Sequence, residues 1–468
     1  MKKVFLSLTL FLVLSFAPKL LAQENAPHLR GNVKISIIEG TFECDLTMSN
    51  IPRVEDYLIR LNAGMNLLHF RSKKPHDFVL GYEKSTEDST STGESIAYYF
   101  PDNTGKGKFL PHEIQFRYVG KFPIASDTIE NYSRFDWKGN IAFNGYSVRI
   151  DGNQSAWCPY IYDAKNDIEY DKFTYEIDLT CMDCSTIYLN GSQPIKSVNA
   201  KFKSQTPYEL ALFCGNFDFE DDGNIVILNP QFTKDEIQQL SNLVSSFKNY
   251  YEQKLDIKLE QSLVFVNTTP TAPKHGWLFV SSPTIMGIGE GKGGLSPLFE
   301  KEFQEWYKHH IAHELAHYYF TAFKKFNSIL GDMLSEGLAE YISLKLVEDL
   351  FGTELYNAKL MAKIEWLEDF ETNPLSSIKS ITDIEDRETF VYDYAPVIFL
   401  AIEKEIGKDK MFEWIKTILK TETEFTNYEF LLSTLKNIVK DNKKIKSIEN
   451  TYFKNEDSTE NAINRLNK

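Results

Sequence analysis

The 468-residue chain has no long tract rich in proline, glycine or serine, and it carries only five cysteines. The first absence excludes a disordered or fibrous chain, because 42% hydrophobic and 25% charged residues supply ample core material. The second means that the fold stands without a dense disulfide framework. Positive charge is also short. A net charge of −15 excludes general attraction to nucleic acid or to an anionic membrane face. Beyond residue 22 no apolar run reaches the ~20 residues that a spanning helix needs, so no integral membrane segment is expected in the mature chain. No serine or cysteine sits in a recognisable nucleophile setting. The glycine-rich stretch 287–294 contains Lys292, but glycine follows it where a phosphate-binding loop needs Ser or Thr.

What is present begins with a positive head (Met1, Lys2, Lys3), an apolar run over 4–16 and a small-residue end at Leu20-Leu21-Ala22. This pattern reads as a signal peptide over 1–22, with export to the periplasm or beyond. No cysteine follows the run, so no lipid-attachment site is expected. All five cysteines lie in the first half, where export permits pairing. Cys181-Met182-Asp183-Cys184 lacks the second Cys/His pair of a zinc site, which favours a local disulfide or two unpaired strand-end cysteines.

From about 30 to 225 the apolar residues alternate with period two, as in Val33, Ile35, Ile37 and in Phe173, Tyr175, Ile177, Leu179. Turn-forming clusters separate these runs, so residues 23–228 are expected to form an all-β sandwich or saddle. The character then changes. Thr233-Lys234-Asp235-Glu236 forms a capping box ahead of Ile237, Leu240, Val244, Phe247 and Tyr251 at helical spacing. Short strand-like runs follow at 263–266 and 277–280, and from about 299 the pattern is helical, with one helix expected across 299–326. Residues 229–468 therefore read as an α+β domain, with a polar tail expected to fray after about 453.

The decisive stretch is His313-Glu314-Leu315-Ala316-His317. Residues four apart share one helix face, so both imidazoles can reach one ion while Glu314 stands beside it without being a ligand. Catalytic zinc normally takes three protein ligands and leaves a fourth position for water. Glu336, 18 residues past His317, is the candidate third ligand, on a second helix expected to begin near Asp332. Glu340, one turn further, is a candidate to accept the second N–H of a ligating histidine. His309 also precedes His313 by four. Without a glutamate after it, it is expected to face solvent or to support the ligands from behind.

These residues resemble the M1 aminopeptidase family of gluzincins. His313-Glu314-Leu315-Ala316-His317, the 18-residue spacer and Ser335-Glu336-Gly337-Leu338-Ala339-Glu340-Tyr341 are similar to that family's HExxH, spacer and NEGFAEY elements. Tyr392-Asp393-Tyr394-Ala395 is similar to its YEKG segment. The resemblance implies a thermolysin-like catalytic domain binding one zinc ion through His313, His317 and Glu336. It further implies Glu314 as the base and Tyr392 as the donor to the transition state; the alternative reading makes Tyr392 a packed aromatic, with Tyr394 or neither as the donor. The family's Gly-x-Met-Glu-Asn strand has only a degenerate counterpart in Gly287-Ile288-Gly289-Glu290-Gly291, where Glu290 is the candidate for holding a substrate amino terminus. The chain also ends soon after the catalytic helices, which implies an open cleft. The expected function is zinc-dependent hydrolysis of peptides, most simply as an aminopeptidase. A zinc endopeptidase and a non-catalytic peptide-binding protein on the same fold are the alternatives. The sequence does not set the oligomeric state.

Overall fold

The computed structural model describes residues 26–467 except 73–80, 84–94, 104, 108–109, 125–140, 153, 269–276 and 289–293. The expected signal peptide and Glu290 both lie outside the described residues.

Among the described residues, the first half is all β. A six-stranded sheet runs in the order Asn199–Tyr208, Phe173–Cys181, His28–Ser36, Thr41–Ser49, Ile114–Lys121, Met65–Ser72. Its second and third strands, Phe173–Cys181 and His28–Ser36, are parallel, and the other neighbours are antiparallel. A four-stranded sheet (Ile141–Phe143, Ser147–Ile150, Leu212–Gly215, Thr186–Leu189) and a five-stranded sheet around Tyr57–Asn62 share one core with it. The alternation seen in the sequence is the inward-facing set of these strands, for example Val33, Ile35, Phe116, Tyr175 and Ile177. Cys181 and Cys184 form a disulfide, and Cys44, Cys158 and Cys214 are buried free thiols.

The second half is built on a five-stranded sheet in the order Phe219–Asp221, Ile225–Leu228, Leu263–Asn267, Thr284–Ile288, Trp277–Ser281. Its central strands are apolar on both faces because both faces are covered. Ile225, Ile227 and Phe265 point into the helical core, whereas Val226, Leu228, Val264, Val266 and Met286 pack against Tyr188, Phe213 and Phe217 of the β half. Strand Thr284–Ile288 escapes the alternation pattern because glycines crowd its end. Those glycines serve a close backbone approach: a Cβ on Gly294 would stand 2.0 Å from the carbonyl carbon of Gly287.

Helix α1 (Lys234–Leu255) starts at the expected capping box, with Thr233 and Glu236 bonded reciprocally, and Tyr251 Oη donates to the carbonyl of Ala312 at 2.7 Å. Helix α2 (Gln304–His317) is shorter than the single helix expected over 299–326. A 3-10 turn, Ser296–Phe299, precedes it, and after His317 the chain widens into a π-helical segment, Tyr318–Phe323. Helix α3 (Gly331–Phe351) follows one residue before the expected start, and α4 (Thr353–Trp366) comes next. A second π-helical segment, Phe390–Tyr394, leads into the helix Ala395–Ile406. The tail does not fray: the helix Ser458–Leu466 buries Ala462, and Ser458 Oγ lies 3.0 Å from Tyr394 Oη. The polar residues there cover a surface, while its few apolar ones dock on the helical core.

Candidate metal centre

Helix periodicity puts His313 and His317 one turn apart on α2, and their Nε2 atoms lie 3.1 Å apart. Helix α3 packs against α2 and brings Glu336 to the same point. Its Oε2 is 3.2 Å from His313 Nε2 and 3.3 Å from His317 Nε2. Glycine at 337 lets α3 pack closely on the helix Ala395–Ile406 as well, because a Cβ there would stand 2.6 Å from Cβ of Ala395. The three donor atoms thus form a nearly equilateral triangle. Around zinc, donors about 2.1 Å from a tetrahedral ion are separated by about 3.4 Å, so the triangle fits that ion closely. The donor set, two imidazoles and a carboxylate, is also one that catalytic zinc takes.

Each group's surroundings suit this arrangement. Burial opposes charge on His313, but hydrogen bonds to Glu336 and Glu340 outweigh it and push the imidazole up to about 10 in the metal-free chain. Burial likewise disfavours the Glu336 carboxylate, yet His317 and His313 hold it well below the usual range. The second nitrogens are also engaged. His313 Nδ1 lies 2.8 Å from Glu340 Oε2, and His317 Nδ1 lies 3.2 Å from Thr321 Oγ1, which is itself 3.0 Å from Ser335 Oγ. Such partners fix ring orientation and tautomer.

Glu340 is the hub of a buried network. Besides His313 it meets Lys363 Nζ at 2.6 Å and His309 Nε2 at 3.4 Å. His309 is buried and also lies 3.1 Å from Ser343 Oγ, so of its two expected positions it takes the one behind the ligands. Burial drives that imidazole down to about 3, so it is neutral at physiological pH. Lys363, on α4, was not flagged by any spacing in the sequence. Its ammonium also donates to the carbonyl of Tyr392 at 2.7 Å and reaches Asp393 Oδ1 at 3.4 Å. Thr321 could have been found, since it follows His317 by four and shares its helix face.

Glu314 is buried beside the histidines. Burial raises its pKa, His313 and His317 partly offset this, and Glu336 and Glu340 add to it. A carboxylate shifted upward is suited to carry a proton at neutral pH. Tyr392 lies with its ring centroid 5.8 Å from that of His313. Burial, then the charge of Glu336, raises its phenol, which therefore stays protonated as a donor. Tyr394 faces elsewhere, stacked on Phe390 and bonded to Ser458.

Comparison with known proteins finds no matching family model and no matching curated protein. Solved structures do match in fold. An M1 zinc metallopeptidase from Deinococcus radiodurans superposes with a TM-score of 0.57 at 12% identity, covering 92% of this chain and 94% of that one. Native leukotriene A4 hydrolase from Saccharomyces cerevisiae gives 0.60 at 12% identity, over 92% of this chain and 67% of the yeast enzyme. Aminopeptidase A from Legionella pneumophila, in complex with aspartic acid, gives 0.61 at 13%, over 92% of this chain and 49% of that one. The chain therefore has the fold of M1 zinc metallopeptidases, and it spans about half of the Legionella enzyme.

Proposed function

We propose that the chain is an M1-type zinc metallopeptidase, acting as an aminopeptidase on peptides outside the cytoplasm. The observation that carries this reading is the triangle of His313, His317 and Glu336 donors, with Glu314 and Tyr392 beside it. The shared fold supports it, and one matching structure is an M1 zinc metallopeptidase bound to a Tyr-Ser-Ala substrate. Export rests on the N-terminal sequence pattern. No helix among the described residues is long and apolar enough to cross a membrane.

Bound zinc supplies Lewis-acid polarisation of the scissile carbonyl and lowers the pKa of water at the site towards roughly 7. Glu314 accepts the proton of the attacking water and returns it to the leaving amine. The phenol of Tyr392 donates to the carbonyl oxygen as negative charge develops there, an interaction stronger in the transition state than in the ground state. His313 and His317 stay oriented throughout, because Glu340 and Thr321 hold their second nitrogens.

The test compares free-amino and acetylated peptides, with a zinc chelator and Glu314→Gln as controls. An aminopeptidase cleaves only the free-amino series, and both controls abolish turnover. Cleavage of acetylated peptides would make the chain an endopeptidase of the same chemistry. Zinc content with no turnover on either series would refute the enzymatic reading.

A further inference from the structure

The loop between the two metal-bearing helices is held by the β half of the chain. Strands Tyr160–Asp163 and Ile168–Tyr170 form an antiparallel hairpin, and its residues meet the segment 321–328 at several points. Asp167 Oδ2 accepts from the backbone N–H of Ser328 at 2.6 Å, and Asn327 Nδ2 donates to the carbonyl of Asn166 at 3.1 Å. Lys325 Nζ pairs with Glu169 Oε2 at 2.9 Å and Asp171 Oδ2 at 2.8 Å.

A further contact reaches the residue behind His317. Lys172 Nζ donates to the carbonyls of Thr321 and Ala322, at 3.2 and 3.1 Å. Both carbonyls belong to the π-helical segment that continues α2, and Lys324 then leaves the helix in an extended conformation. The last carbonyls of a helix lack intrahelical donors and carry partial negative charge, so an ammonium there satisfies both needs. The residue it anchors is Thr321, whose hydroxyl lies 3.2 Å from His317 Nδ1.

We propose that Lys172 is a positioning residue of the metal centre: from the β half, it caps the π-helical segment and so fixes Thr321 against the imidazole of His317. The two halves are then one functional unit, and the geometry of the ligand set depends on a side chain outside the catalytic half. This rests on the zinc reading above.

The test uses the full-length chain and reads metal binding apart from activity: zinc Kd by chelator competition, and the visible spectrum of the cobalt-substituted protein, which reports ligand geometry. Lys172→Met and Thr321→Val should each weaken zinc about tenfold, the lower end for outer partners of a ligand, and shift the cobalt bands. The double variant should be no weaker than about tenfold, because both changes break one chain of contacts. Lys172→Arg, which keeps the donors, should restore wild-type binding. Lys325→Met should lower stability without moving the cobalt bands. If Lys172→Met does not fold, Lys172→Ala carries the same expectation. Wild-type zinc affinity and cobalt bands in a folded Lys172→Met or Lys172→Ala variant would overturn the proposal, as would effects of Lys172 and Thr321 that multiply. A wild-type chain that binds neither metal overturns the zinc reading and the proposal with it.

Discussion

Replacing Glu340 by glutamine removes one charge from the buried network behind the metal centre. The carboxylate lies 2.8 Å from His313 Nδ1, 2.6 Å from Lys363 Nζ and 3.4 Å from His309 Nε2. The amide oxygen of the glutamine can still accept from His313, so the ring keeps its place but loses the charge that makes it a stronger ligand. Loss of such a partner costs about 10- to 100-fold in metal affinity, and the retained hydrogen bond sets the expectation near tenfold, about 1.4 kcal/mol. Stability suffers separately. Lys363 is stranded with Asp393 at 3.4 Å and the Tyr392 carbonyl at 2.7 Å, so the cost should lie near the lower edge for a broken buried pair, about 3 kcal/mol. A double variant, Glu340→Gln with Lys363→Met, removes the stranded ammonium and should regain most of that stability without regaining zinc affinity. Zinc Kd by chelator competition and unfolding free energy from urea melts of the metal-free protein measure the two effects. Zinc affinity within threefold of wild type, or a double variant no more stable than the single, would refute the reasoning.

Tyr392→Phe should lower kcat on the order of 100-fold with KM and zinc content nearly unchanged, because the donor acts only as charge develops; an equal loss in zinc content would point to a structural role. Zinc binding requires a neutral imidazole, and His313 is pushed up to about 10 in the metal-free chain, so apparent Kd should tighten about tenfold per pH unit between roughly pH 6 and 8. A Kd that is flat across that range contradicts this. The same raised pKa stabilises the metal-free chain fully below about pH 6.5, a contribution lost as pH rises towards 10. Gly337→Ala places a methyl 2.6 Å from Cβ of Ala395 and should cost about 1–3 kcal/mol in urea melts while weakening zinc; unchanged stability would show that the two helices yield freely.

The sequence by itself determined what depends on local repetition. Two histidines four apart on a helix must share a face, and alternation of apolar residues must mark half-buried strands, because side-chain directions follow backbone geometry within a few residues. The capping box at Thr233 and the start of α3 near Asp332 are legible for the same reason. Where the backbone departs from regular geometry, the pattern fails. The π-helical widening after His317 and the strand ending at Ile288 leave no periodic signature.

The tertiary structure alone decided which distant groups meet. Lys363 stands beside Glu340 because α4 packs on α3, and no spacing along the chain encodes that contact. Tyr392 and Tyr394 are equivalent as residues, and only the packing of Phe390 and Ser458 around Tyr394 separates them. Lys172 reaches Thr321 across 149 residues of sequence. Such contacts arise from the shape of the packed core, where position is set by many weak interactions at once, and a one-dimensional pattern carries none of that information.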